Sequence, residues 1–332
     1  MAFKFSLHPI GRRGKPIVSS ANVRLCQYAI VGFITLLASL WFIARYFGVN
    51  IPFWTGVSAA LLLAPYWACG FGIEKSLRAH TNIPVVVVYL GISYLVFALP
   101  ERQFRWDLFL GMTGIVTAIL LLLRSADSAP PGWRDWLVLA ILGISVDLHF
   151  FDRAWPVAGL SGLPKLLFVD AGLYGFLVVR PIGGIGFDLR PRLSDLSIGL
   201  REFLCFAPIA IALGFGLGFL HLHRTTGSVF GFGGGWIFTF FFVAMPEELF
   251  FRGLMLNMLE RRMGTTRAVA ISSLLFGLAH FNKRAAYFNW RYVILAAIAG
   301  VFYGRAWLTN RRLPASSITH STVDTVWSIW LR

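Results

Sequence analysis

The chain has 332 residues, of which 57% are apolar and 14% charged, against about 25% charged in an ordinary soluble domain. That balance, with a mean hydropathy of +0.69, excludes a soluble globular protein and makes a membrane protein the default. Thirty Lys and Arg outweigh 15 Asp and Glu for a net charge of +15, yet the basic residues fall in short gaps between apolar stretches. A nucleic-acid face needs them together, so the pattern argues for loops that grip anionic lipid headgroups and against nucleic acid.

Crossing the hydrocarbon layer takes about 20 residues of helix, and eleven apolar runs come close enough to count as spans. In chain order they cover residues 24–47, 51–73, 82–99, 106–123, 136–151, 163–179, 198–221, 236–259, 267–283, 291–309 and 316–331. The fifth, sixth and last are short for a full crossing. Before them, Met1 to Asn22 carries Lys4, Arg12, Arg13 and Lys15 without an apolar core, which reads as a basic arm rather than a cleavable signal peptide. The expected fold is all-α, a polytopic transmembrane bundle of 10 to 11 helices. Cys26, Cys69 and Cys205 each lie inside an apolar run, with neither disulfide nor metal spacing.

The longest polar connection, Arg180 to Arg201, has glycine and proline to break helices and arginines to hold it at the cytoplasmic surface. It divides the chain into an N-terminal multi-helix membrane region, 1–195, and a C-terminal core, 196–332. Chemistry concentrates in the second.

The eighth run contains Glu247, Glu248 and Arg252 in a helix otherwise suited to lipid, a costly placement that marks function. Glu248 and Arg252 are four apart and stack on one face as a charge pair, while Glu247 points about 100 degrees away with no local cation. A desolvated, unpaired carboxylate is a better proton acceptor near neutral pH, which suits a general base. Pro246 removes a backbone N–H just before it, so a kink is expected there. In the ninth run Phe276 and His280 share a face, and in the last His320 and Asp324 do, so that the acid can fix one imidazole tautomer. Each feature has a structural alternative, an ion pair for Glu248 and Arg252 or an interhelical hydrogen bond for either histidine. Their joint occurrence favours a site.

These three motifs, EExxxR at Glu247 to Arg252, FxxxH at Phe276 to His280 and HxxxD at His320 to Asp324, resemble those of the CPBP family of CAAX-protease and bacteriocin-processing membrane enzymes, which includes the type II CAAX prenyl endopeptidases. The resemblance implies an intramembrane glutamate-dependent endopeptidase in which Glu247 and His280 activate water, His320 and Asp324 stabilise the oxyanion, and Glu248, Arg252 and Phe276 support the site. It implies no cofactor and no metal, a peptide or protein substrate at the membrane, and a multi-pass protein, expected in a bacterial inner membrane. The family's last motif position is Asn or Asp, and an ionised Asp324 cannot donate to an oxyanion.

Two other functions fit the same residues. One is a zinc metallopeptidase using the Glu, His, His and Asp cluster, though HExxH is absent. The other is a non-catalytic scaffold or transporter with these groups as a proton relay. Further features read as structure: Gly231 to Trp236 as a flexible loop leading into the catalytic helix, Gly214 with Gly218 and Gly300 with Gly304 as close helix packing, and Asp147, His149, Asp170 and Glu202 as packing partners. His221 and His223 read as interfacial. One geometric problem stands. With alternating upright spans, His280 lies near the far end of its helix and His320 near the start of its own, so convergence demands stagger or tilt.

Overall fold

Inside hydrocarbon a backbone N–H or C=O finds no water, so each spanning segment must bond within itself, and every apolar run accordingly becomes one helical rod. A computed structural model describes residues 20–74, 77, 82–126, 130–157, 162–223, 228–283 and 287–331. Lys4, Arg12, Arg13 and Lys15 of the expected basic arm lie outside the described residues. Among the described residues there is no strand.

The rods are α1 (Ser20–Tyr46), α2 (Phe53–Gly70), α3 (Ile83–Ala98), α4 (Trp106–Arg124), α5 (Trp133–Asp147) and α6 (Leu163–Leu173, continuing through Tyr174–Val179). After the Arg180 connection come α7 (Leu193–Gly216), α8 (Val229–Met263), α9 (Thr265–Leu278), α10 (Trp290–Asn310) and α11 (Leu313–Trp330). Five of them, α4, α7, α8, α10 and the Arg24–Tyr46 stretch of α1, are long and apolar enough to cross a membrane, while α3 and α9 are shorter apolar helices.

The ends have local causes. The Asn82 side chain accepts from the Val85 N–H at 3.1 Å to start α3, and Asn289 accepts from Tyr292 at 3.3 Å to start α10. Gly264 at φ +79° separates α8 from α9, and Arg311 at φ +55° separates α10 from α11. Gly231 to Trp236 does not form a loop. Ser228 caps the helix by accepting from the Gly231 N–H at 3.0 Å, so the glycines become its first turns. Their lack of side chains lets α1 approach, and a Cβ on Gly234 would stand 3.3 Å from Ile43.

α7, α10 and α11 pack together, with α8 and α9 against α10, while α2 packs on α3 and α6. One apolar core runs from Leu62 to Ile318, and α1 and α5 both reach α8. Gly300 and Gly304 serve close packing as expected, a Cβ at Gly300 falling 3.0 Å from the Cα of Ser273. Gly218 differs, since it ends α7 at φ +62°.

The Arg180 connection is more deeply embedded than a surface loop. Arg180 is buried and donates from Nε to Asp135 Oδ1 at 2.5 Å. Arg312, just before α11, is 6% exposed and bonds both Asp195 oxygens, at 3.0 and 2.9 Å, as well as Asp188 and the Arg190 carbonyl. Leu313 donates to the Gly186 carbonyl at 2.9 Å. Burial acts to raise the Asp188 carboxyl, but bonds from Arg190 and Arg312 outweigh it and hold the group at about 2.

That value lies below the ordinary aspartate pKa of about 3.9, so the linkage has a definite sign. Asp188 contributes stability that is complete above about pH 5 and is lost as pH falls toward 2. Asp188→Asn is therefore expected to lower the unfolding temperature in detergent at pH 7 and to flatten the loss on acidification from pH 5 to 2, read by a thermal melt at each pH.

Candidate active site

Pro246 cannot donate to the carbonyl four residues back, and its ring crowds that carbonyl. Instead of breaking, α8 widens into π winding at Phe240–Ala244, makes one ordinary turn at Met245–Glu248, and widens again at Leu249–Leu256. The two acids stand on the turn between the widened stretches, the kind of irregularity that often marks functional helices.

Glu248 is fully buried and is the hub of the cluster. Its Oε1 accepts from Arg252 Nη1 at 3.1 Å and from His320 Nδ1 at 2.8 Å, and its Oε2 accepts from the Ser316 hydroxyl. A carboxylate can only accept, so against it His320 Nδ1 is the donor and carries a proton. Arg252, also fully buried, donates its Nη2 to the Gly300 carbonyl at 2.9 Å. Its guanidinium lies 4.6 Å over the Phe276 ring and 5.2 Å over Tyr303, favourable cation–π placements in a dry site. Tyr303 in turn stacks on His320, with centroids 4.6 Å apart and planes 17° apart.

The tautomer of His320 is thus set by Glu248, where the sequence pointed to Asp324. Asp324 Oδ2 lies 3.5 Å from the other nitrogen, Nε2, and Glu247 Oε2 lies 3.9 Å from it. With Nδ1 committed, Nε2 becomes a donor only in the imidazolium form.

His280 does not lie within a helix. It follows the end of α9, its Nδ1 2.8 Å from the Phe276 carbonyl, one of the unpaired carbonyls of the last turn. A carbonyl only accepts, so Nδ1 carries a proton, and in the neutral ring Nε2 keeps its lone pair. The convergence that equal, upright spans forbid is nevertheless present, since both histidines line one cavity. Every residue from Arg312 to Thr322 is buried from the first turn of α11, whereas Thr265 to Arg267 at the start of α9 are exposed. Phe276 bridges the histidines, its ring 4.8 Å from His280 and 5.6 Å from His320.

Glu247 departs most from expectation. It has a cation after all, Lys165 of α6, with Nζ 3.4 Å from Oε1, and its side chain is 25% exposed. No spacing rule reaches a partner 82 residues away. Glu247, Lys165 and His280 line a cavity of about 790 Å³ between α5, α6 and α8, walled mainly by apolar side chains including Leu139, Phe168 and Phe250. A second, smaller cavity of about 160 Å³ is lined by His280, His320, Asp324 and apolar residues of α7 and α10. His280 therefore stands between two chambers.

Of the remaining polar residues, Glu202 pairs with Arg201 and Arg305, Asp147 with Lys283, and His149 with Asp152. Asp170 is buried at 2% exposure. His221 and His223 are exposed. Among the described residues no group of three or more His, Cys, Asp or Glu is arranged to hold a metal ion.

Apolar helices closed around ionised side chains define an integral membrane protein with a polar centre between its helices. Residues 230–326 match the family model described as type II CAAX prenyl endopeptidase, Rce1-like. The chain is similar to this family over that segment, which carries all three motifs, and at the level of the family the match supports a CAAX-type intramembrane protease. No curated protein and no solved structure matches the chain.

The hub has a measurable cost of removal. Arg252→Met leaves Glu248 buried without its cation and the Gly300 carbonyl without its donor, and breaking a buried pair costs about 3–5 kcal/mol. The variant is expected to show a sharply lower unfolding temperature and folded yield in detergent, whereas Arg252→Lys, which reaches one of the two acceptors, falls between it and the native protein.

Proposed function

We propose that the protein is an intramembrane endopeptidase in which Glu247 is the general base for hydrolysis of a peptide bond in a membrane-associated polypeptide. The observation that carries this reading is the division of labour between adjacent carboxylates. Glu248 is buried and saturated by three donors, while Glu247 faces a large cavity it shares with His280, whose Nδ1 is tied to the Phe276 carbonyl. Two like groups in different surroundings sort into a structural anion and a reactive one.

In the reaction, Glu247 Oε2 takes a proton from water, with His280 Nε2 as a second acceptor, and the water oxygen bonds to the substrate carbonyl carbon. The tetrahedral oxyanion forms on the His320 side, where Nε2–H of the imidazolium donates to it. Asp324, 3.5 Å from that nitrogen, balances the charge of the ring. This places Asp324 beside His320 and spares it the donor role that an ionised carboxylate cannot fill. Collapse breaks the C–N bond, and Glu247 returns its proton to the departing amine. Phe276 and Tyr303 hold both imidazoles in place by ring contacts.

The family match suggests a farnesylated peptide ending in a CAAX sequence as the probe substrate. Glu247→Gln keeps the shape of the side chain and removes the base, so cleavage by the purified protein is expected to fall by at least about 100-fold, the lower end of what a general base supplies. Cleavage by this variant at the native rate would refute the assignment.

A further inference from the structure

Lys165 belongs to α6, far from residues 230–326, yet its ammonium sits against Glu247. We propose that Lys165 is a positioning residue of the catalytic centre, holding Glu247 by Oε1 so that Oε2 is the oxygen presented to the reacting water. The inference rests on the role assigned to Glu247 above and extends it into the N-terminal half of the chain.

The two oxygens of Glu247 have different neighbours. Oε1 lies 3.4 Å from Lys165 Nζ, and Oε2 lies 3.9 Å from His320 Nε2. A glutamate has three rotatable side-chain bonds, and one opening into a cavity of about 790 Å³ keeps many orientations unless something ties it. The other nearby charges are engaged elsewhere. Arg252 is bound to Glu248 and the Gly300 carbonyl, Lys283 is 3.6 Å from Asp147, and Asp324 and Glu248 face the two nitrogens of His320. His280 is tied through Nδ1 to Phe276.

Lys165 itself is held at its root. Pro164 starts α6 with a fixed backbone angle, and the Lys165 N–H donates to the Gly162 carbonyl at 3.1 Å. Its side chain lines the mainly apolar cavity and brings the ammonium to Glu247. As structural glue the pair is poor, because both side chains are about a quarter exposed and 3.4 Å exceeds a charge-assisted hydrogen bond. A loose pair beside the reacting centre matters through orientation, where a displacement of about 1 Å can cost about 100-fold in rate.

The test uses the full chain in detergent with the farnesylated CAAX peptide. Lys165→Met is expected to lower kcat by about 10- to 100-fold with KM within about twofold and the unfolding temperature unchanged, and Lys165→Arg is expected to restore most of kcat. Adding Lys165→Met to Glu247→Gln should cost nothing more, since the side chain it positions has lost its function. A native kcat in Lys165→Met, an effect confined to KM, or failure of Lys165→Arg to rescue would each overturn the proposal. These results are distinct from failure of the underlying reading, which shows as an active Glu247→Gln variant. A second measurement needs no substrate: labelling of Glu247 by dicyclohexylcarbodiimide, read by mass spectrometry, is expected to speed up several-fold in Lys165→Met, and an unchanged rate counts against Lys165.

Discussion

A single ionised carboxylate, buried in the middle of the bundle, organises the C-terminal helices. Glu248 gathers Arg252 from its own helix and Ser316 and His320 from α11. Arg252 then reaches α10 through the Gly300 carbonyl and lies over rings from α9 and α10. An anion at that depth is tolerable only if every lone pair finds a donor and its charge is matched. The requirement fixes the register of α8, α10 and α11, and the stack of Phe276, Tyr303 and the two imidazoles follows from it.

Much of this was legible in the sequence because it depends on local periodicity. Each of the eleven runs becomes a rod, and the four-residue spacings that place Glu248 by Arg252, Phe276 by His280 and His320 by Asp324 describe contacts seen in the structure. What was not legible is contact between distant segments. The cation beside Glu247 is contributed by α6, and the imidazole on Glu248 comes from a residue 72 positions later. The one hint was Lys165 itself, a lone cation inside an apolar run. Its position by the first helical turn, two residues after a proline-bearing start, could equally serve a helix end.

The glycine-rich stretch before the acids misleads for a different reason. Gly231 to Trp236 has the composition of a loop, but glycine permits close approach as readily as it permits flexibility. With Ser228 as cap and α1 alongside, the same residues are the opening turns of α8. His280 is the reverse case, a residue in an apolar run whose helix stops two residues earlier, leaving a free carbonyl that the ring captures.

The 35-residue rod Val229–Met263 would measure about 52 Å at the helical rise, well over the hydrocarbon thickness of about 30 Å. Tilt absorbs part of that excess and projection into the headgroups the rest. Glu247 falls near the rod's midpoint, so with the surplus shared equally between the two ends it lies close to the centre of the bilayer. At that depth an amide of an incoming chain is ordinarily locked into its own helix. Any polypeptide cut there must surrender a turn of winding on arrival, exchanging internal hydrogen bonds for the polar groups of the cavity wall.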